Sequence, residues 1–162
     1  FRIAWFKVYH PLAFYAAYFS IRAKAFDLRI MTGDLNTQLR EFNRIKALDR
    51  GASPKEKDLM SALEVSMEMY QRGYLFINVD IQHSGARRFR IKDGALLPPF
   101  LAIDSLGETV ADAIVEERET KPFTSLKDLQ RRCKVSATII ETMKELKCCG
   151  DLPEDEQMSL FG

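Results

Sequence analysis

Residues 103 to 114 read Ile103-Asp104-Ser105-Leu106-Gly107-Glu108-Thr109-Val110-Ala111-Asp112-Ala113-Ile114, a tight turn running straight into an amphipathic stretch. A sharp turn at Ser105, Leu106 and Gly107 that feeds a helix aims several unpaired backbone N–H groups outward, beside the positive end of the helix dipole. Such a place suits phosphate. Backbone amides contact phosphate without reading bases, so the chemistry is that of sequence-independent nucleic-acid binding, with Ser105, Leu106, Gly107 and Thr109 as the candidate contacts. Asp104 and Glu108 flank the turn, which makes any such contact depend on amides more than on charge. The plain alternative is a structural turn between two core helices.

A second stretch some thirty residues on, Lys134-Val135-Ser136-Ala137-Thr138-Ile139-Ile140, offers Lys134 beside a phosphate and the Ser136 hydroxyl as a helix cap. The first stretch resembles a helix-hairpin-helix motif, whose usual form is apolar-Gly-apolar-Gly before a helix. Ser105 stands where the first glycine is usual, and Gly107 is expected to supply the conformational freedom of the turn. The second stretch lacks the glycines and as a motif alone carries no signal; only its position some thirty residues after the first points to a degenerate copy and a tandem arrangement.

Other chemistry finds little footing. There is no glycine-rich nucleotide loop, no Gly-x-Ser-x-Gly elbow and no His/Cys metal spacing. His10 precedes a helix and His83 lies in the polar turn Gln82-His83-Ser84-Gly85, neither with a partner nearby in sequence. Two-metal phosphoryl transfer needs carboxylates held together, and the acidic residues here are scattered as solvated helix faces. No catalytic site and no metal site is expected. Cys133, Cys148 and Cys149 make neither a disulfide framework nor a metal set and read as reduced packing thiols.

The 162 residues are 46% hydrophobic and 29% charged, enough for one core or two small ones, with a formal net charge of +1. No apolar run reaches the length of a membrane span. Charge distribution is more telling than the total: residues 1–50 carry nine basic against four acidic side chains, and Arg87-Arg88-Phe89-Arg90-Ile91-Lys92 is locally basic. The chain opens Phe1-Arg2-Ile3 without Met or a signal-peptide pattern, which reads as a piece of a longer protein from the cytoplasm.

The elements that must position these residues follow from spacing. Helices are predicted over 2–9 and 11–24, broken at His10-Pro11, with Trp5, Phe6, Val8, Tyr9, Phe14, Tyr15 and Phe19 aromatic or apolar on more than one face and so expected to be buried. A third helix spans 36–48 with Leu39, Phe42, Ile45 and Leu48 inward. Ser53-Pro54-Lys55-Glu56 is a capping box opening a helix that runs to Gly73. Residues 74–79 and 88–91 have strand composition, Asp93-Gly94 a tight turn to Ala95-Leu96-Leu97, and Pro98-Pro99 a stiff connector. Helices then follow from Glu108 to Glu119, from Ser125 and from Ser136, the last ending before Gly150. The fold class is mainly α with a small β-hairpin. The end, Pro153-Glu154-Asp155-Glu156 followed by Gln157-Met158-Ser159-Leu160-Phe161, is expected to be an unfolded tail whose apolar side chains need a partner.

That pentapeptide resembles the Gln-x-Ser/Asp-Leu-Phe peptide by which bacterial replication and repair proteins dock on the DNA sliding clamp. In order along the chain, Ala4-Trp5-Phe6-Lys7-Val8-Tyr9-His10-Pro11, Phe14-Tyr15-Ala16-Ala17-Tyr18-Phe19, Glu68-Met69-Tyr70-Gln71-Arg72-Gly73-Tyr74, Asn78-Val79-Asp80, Leu96-Leu97-Pro98-Pro99-Phe100, Lys127-Asp128-Leu129-Gln130 and Lys134-Val135-Ser136 make the whole resemble the C-terminal region of the PolC-type alpha subunit of bacterial DNA polymerase III. Ser105 and Cys148-Cys149-Gly150 depart from that family's pattern. The resemblance implies that residues 1–73 end the fingers region, 74–152 form a duplex-binding domain with tandem helix-hairpin-helix units, and 153–162 form a tail in which Gln157 to Phe161 bind the beta sliding clamp. It implies partners in primer-template DNA, the rest of the polymerase and the replisome. Template-directed synthesis with magnesium ions would belong to the parent protein, whose catalytic aspartates lie outside this chain, leaving it inactive alone and without a cofactor. A non-enzymatic, clamp-tethered repair or replication adaptor is the alternative class, and a purely structural helical domain the third.

Overall fold

Pro11 divides the first apolar stretch, because its ring fits a first helical turn and disfavours helix at His10. Helices α1 (Arg2–Tyr9) and α2 (Pro11–Ile21) meet there in the computed structural model, which describes residues 2–155. None of α1 is buried. Ile3, Trp5, Val8 and Tyr9 are exposed instead of packed inward, because α1 touches the body mainly through α2, the Lys7–Glu68 ion pair and a bond from Arg72 Nη2 to the Lys7 carbonyl at 3.2 Å.

A 3-10 turn at Ala23–Ala25 leads to the short helix α3 (Leu28–Met31), capped by the Asp27 carboxylate. Helix α4 (Leu35–Leu48) packs on helix α5 (Pro54–Gln71). The capping box is closed as its spacing requires: Ser53 Oγ accepts from the Glu56 N–H and Glu56 accepts from the Ser53 N–H. The inward face of α4 departs from the apolar stripe. Leu39 and Leu48 are exposed, while Ile45 and Gln38 are buried. Gln38 is fully satisfied there, donating to the Met31 carbonyl at 3.0 Å and accepting from Ser66 of α5 at 2.6 Å.

Residues 74–79 do not form the predicted strand; Phe76 makes only an isolated parallel bridge to Leu96. The hairpin itself pairs β1 (Arg90–Lys92) with β2 (Ala95–Leu97), Ile91 facing Leu96. Asp93 and Gly94 both have positive φ, 52° and 75°, as a two-residue hairpin turn demands. Beneath it, Phe76 meets Phe19 and Phe26 edge-on at 4.9 Å, and Phe89 meets Phe26 at 5.0 Å. This aromatic knot joins α2 to the hairpin, and the buried cluster continues without a break from Tyr15 to Cys149. The architecture is mainly helical with one small antiparallel hairpin.

After a 3-10 turn at Phe100–Ala102 come helices α6 (Glu108–Thr120), α7 (Leu126–Cys133) and α8 (Ala137–Glu145). Arg132 of α7 ties α7 to α6. Its guanidinium donates to the carbonyls of Glu117 and Lys121 at 2.6 and 2.9 Å, meets the Glu117 and Asp128 carboxylates, and lies 4.7 Å over the Phe123 ring. The end of α6 is thus capped from α7. Residues 153–155 are not loose, as their composition suggests, but strapped down. The N–H groups of Leu126 and Lys127 donate to the carbonyls of Pro153 and Glu154, while Glu154 pairs with Lys144 and Asp155 with Lys127, both at 2.6 Å. All three cysteines are buried free thiols.

Burial pushes the Asp128 carboxyl up, but the Thr124 N–H, Arg132 and Arg131 outweigh it and hold the group below the usual carboxylate range. A depressed folded pKa stabilises the fold above the unfolded value of about 3.9 and ceases to do so as pH falls through the folded one. Asp128→Asn should therefore cost roughly 2 kcal/mol at pH 7, and thermal melts of the two proteins should converge as the pH is taken below about 4.

Candidate nucleic-acid interface

Two turns in the C-terminal half share one backbone. In the first, Ser105 is left-handed at φ 65°, Leu106 is buried, and Gly107 is the extended N-cap of α6 at φ −80°, ψ 169°. In the second, Lys134 is left-handed at φ 55°, Val135 is buried, and Ser136 is the extended N-cap of α8 at φ −68°, ψ 154°. In both, the buried apolar residue anchors the turn while the following cap turns the helix amides outward.

Conformational strain therefore falls on Ser105 and not on Gly107. Gly107 occupies backbone any residue can adopt, and a Cβ placed there would meet nothing within 4 Å. That open space lies beside the N–H groups of Glu108, Thr109 and Val110, which no helical carbonyl accepts. Gly107 provides no capping side chain. At the second turn Ser136 Oγ takes the Ile139 N–H at 3.3 Å, leaving those of Ala137 and Thr138. Leu106 contributes by packing inward, and its N–H is spent on the Ile103 carbonyl at 3.2 Å. Ser105, Gly107, Thr109, Lys134 and Ser136 are all exposed.

The electrostatics of the two turns differ. Glu108 sits in the first turn of α6 and pairs with Lys24 at 3.6 Å and Arg87 at 3.3 Å. Arg87 also grips Asp112 with two bonds and holds that carboxyl below its ordinary range. The first turn of α8 has no acidic residue, and Lys134 stands beside it. A groove of about 650 Å³ runs past Ser105 and Gly107, walled by Lys24, Lys55 and, from α8, Thr142. Lys134 and Ser136 lie outside that groove.

The residues that set one turn against the other, Arg132 with Glu117 and Asp128, were not among the sequence candidates. The four-residue spacing of Asp128 and Arg132 was a readable helix pair, whereas the reach to Glu117 and to the α6 carbonyls had no local signal. His83, expected to have no partner nearby in sequence, has one three residues back: its Nδ1 bonds to Asp80 at 2.6 Å. Among the described residues no three His, Cys, Asp or Glu side chains gather as a metal site, and no helix is long and apolar enough to cross a membrane. Gln157, Met158, Ser159, Leu160 and Phe161 lie outside the described residues.

The strain at Ser105 is testable without any ligand. A left-handed non-glycine residue costs roughly 1–2 kcal/mol, partly offset by the greater chain entropy glycine loses on folding. Ser105→Gly should raise stability by up to about 1 kcal/mol, and Gly107→Val should lower it by no more than about 1 kcal/mol through a poorer cap. Chemical denaturation measures both, and the reverse order would place the strain at Gly107.

Comparison with known proteins agrees with this geometry. The chain is similar to the DNA polymerase III PolC-type of Caldanaerobacter subterraneus subsp. tengcongensis, 47% identical over 161 residues, which is 99% of this chain and 12% of that protein. It is similar to the DNA polymerase III PolC-type of Streptococcus pyogenes serotype M12, 44% identical over 162 residues, 99% of this chain and 11% of that one. The chain thus spans about one ninth to one eighth of the length of these relatives. A family model described as the helix-hairpin-helix motif matches residues 73–158, more than half of the chain. By that match the chain belongs to the helix-hairpin-helix motif family.

Proposed function

We propose that the chain is the C-terminal part of a PolC-type DNA polymerase III alpha subunit and that it holds duplex DNA without regard to sequence through two helix-hairpin-helix turns in tandem. One observation carries the reading: Ser105-Leu106-Gly107 and Lys134-Val135-Ser136 repeat the same order of left-handed residue, buried anchor and extended N-cap, each before a helix. In this reading residues 1–73 close the fingers region, 74–152 bind duplex, and 153–162 carry the clamp peptide. The parent protein would perform template-directed synthesis in the cytoplasm, within the replisome. Magnesium ions would supply Lewis-acid chemistry at carboxylates elsewhere in that protein. The described residues hold no fitting cluster, so no step of nucleotidyl transfer is derived through them.

The work of this chain is positional. Amides of Thr109 and its neighbours at the first turn, and of Ala137 and Thr138 at the second, would each take a phosphate oxygen. Glu108 weakens the first contact, whereas Lys134 strengthens the second. The chain should bind duplexes of unrelated sequence with equal affinity that falls as salt rises. Gly107→Val should weaken binding about tenfold by filling the phosphate's approach, one order being about 1.4 kcal/mol. Lys134→Ala should reduce the slope of log affinity against log salt by about 0.9. Fluorescence anisotropy across a salt series measures both. Binding indifferent to Gly107→Val and Lys134→Ala alike would remove the turns from the interface.

The tail is tested separately. Burying Leu160 and Phe161 in a clamp pocket would contribute roughly 3–6 kcal/mol before ordering costs, with Gln157 fixing register by hydrogen bonds. Leu160→Ala with Phe161→Ala should abolish binding to the beta sliding clamp and leave the melting temperature nearly unchanged, while Ser159→Ala should matter little. A double variant that loses stability yet still titrates with clamp would make the tail a structural strap.

A further inference from the structure

The basic stretch singled out in the sequence, residues 87–92, is only partly used by the two turns. Arg87 is spent on Glu108 and Asp112. Arg88, in the bend before β1, is exposed and has no hydrogen bond or ion pair among the described residues. Arg90 and Lys92 project from one face of β1. Among the described residues Arg90 donates to the His83 carbonyl alone, at 3.1 Å, and Lys92 reaches Asp80 loosely, at 3.8 Å, a carboxylate already bonded to His83.

Behind them stands Arg118 of α6, half-buried and without a carboxylate partner among the described residues. Its Nη1 is fixed by the carbonyls of Ile81 and Ser84 at 3.0 and 2.9 Å, and the guanidinium lies 5.8 Å over the Phe100 ring. Burial first and then nearby Arg90 disfavour its charge, opposed by Glu119 and Asp80. A partly buried guanidinium held rigid by backbone, with a second guanidinium repelling it, is a site short of negative charge.

We propose that this face of the β-hairpin, with Arg88, Arg90 and Lys92 backed by Arg118, is a second phosphate-backbone contact for the same duplex, resting on the duplex-binding reading above. Arg118 lies eleven positions along α6 from Gly107, about 16 Å at the helical rise. That distance exceeds the spacing of neighbouring phosphates along a strand, so the patch meets a different phosphate of the duplex from the one at the first turn. The hairpin therefore sets the direction in which the duplex leaves the turns. An amide contact alone leaves that direction free.

The test uses the whole chain and a 20-base-pair duplex over a salt series. Arg88→Gln with Lys92→Gln should lower affinity several-fold and flatten the log–log salt slope by about 1.8, and Arg88→Gln alone by about 0.9. The single variant touches no contact of the fold, and equal melting temperatures verify that. An unchanged slope in both, while Gly107→Val weakens binding, overturns the hairpin contact and leaves the turns standing. A flattened slope with no effect of Gly107→Val supports the hairpin and sinks the turns. A wild-type chain that binds no duplex ends both. Loss of polyglutamate binding with duplex binding intact would assign the patch to an acidic peptide and overturn the proposal.

Discussion

The mutual placement of α6 and α7 depends on one guanidinium. Arg132 satisfies two carbonyls at the end of α6, two carboxylates on different helices and the face of Phe123. A helix end and a buried acid would each cost free energy if left unpaired. One planar donor set satisfies both at once, and only with α6 and α7 at a particular separation and angle. Asp128, itself gripping the Thr124 N–H, fixes Arg132 from below. The two candidate phosphate turns lie at the start of α6 and the end of α7, so this contact decides how far apart they stand.

Each of the two turns needs one left-handed residue, a conformation that glycine adopts without steric cost. Here it falls on Ser105 and Lys134. The surroundings impose it: Leu106 and Val135 are pulled into the core on one side, and caps at Gly107 and Ser136 begin helices on the other. Tertiary packing thus overrides local preference twice, with the same result. The resemblance between the turns lies in backbone angles and burial, and hardly at all in residue identity.

Features that close within a few residues were readable from sequence. The Ser53–Glu56 box, the Asp93-Gly94 turn, the Pro11 break and the Ser136 cap all join groups no more than four positions apart. What failed depends on distant partners. Residues 74–79 have the composition of a strand, but only Phe76 finds a neighbour in Leu96, so the ladder never forms. Buried Gln38 was masked by the apolar Leu39 beside it, because its partner Ser66 lies on another helix. The first candidate turn was legible through its small residues; the second was legible mainly by position, since lysine gives no hint of a left-handed backbone. The acidic segment at 153–155 looked solvated because Lys127 and Lys144 enter the picture only after folding.

That acidic strap has a mechanical side. It lies across the start of α7, one helix length from the turn at Lys134, or about 12 Å at the helical rise. Any pull on the residues beyond Asp155 is first taken by the bonds from Leu126 and Lys127 to Pro153 and Glu154, and by the Lys144–Glu154 and Lys127–Asp155 pairs. These grip both helices of the α7–α8 hairpin at its closed-off pole. Load arriving through the tail would be shared between two helices and directed along their axes, where a hydrogen-bonded helix is stiff, before it reached the turn at Lys134. A chain tugged from one end and anchored at the other would transmit tension through α7 and α8 without prising that turn open.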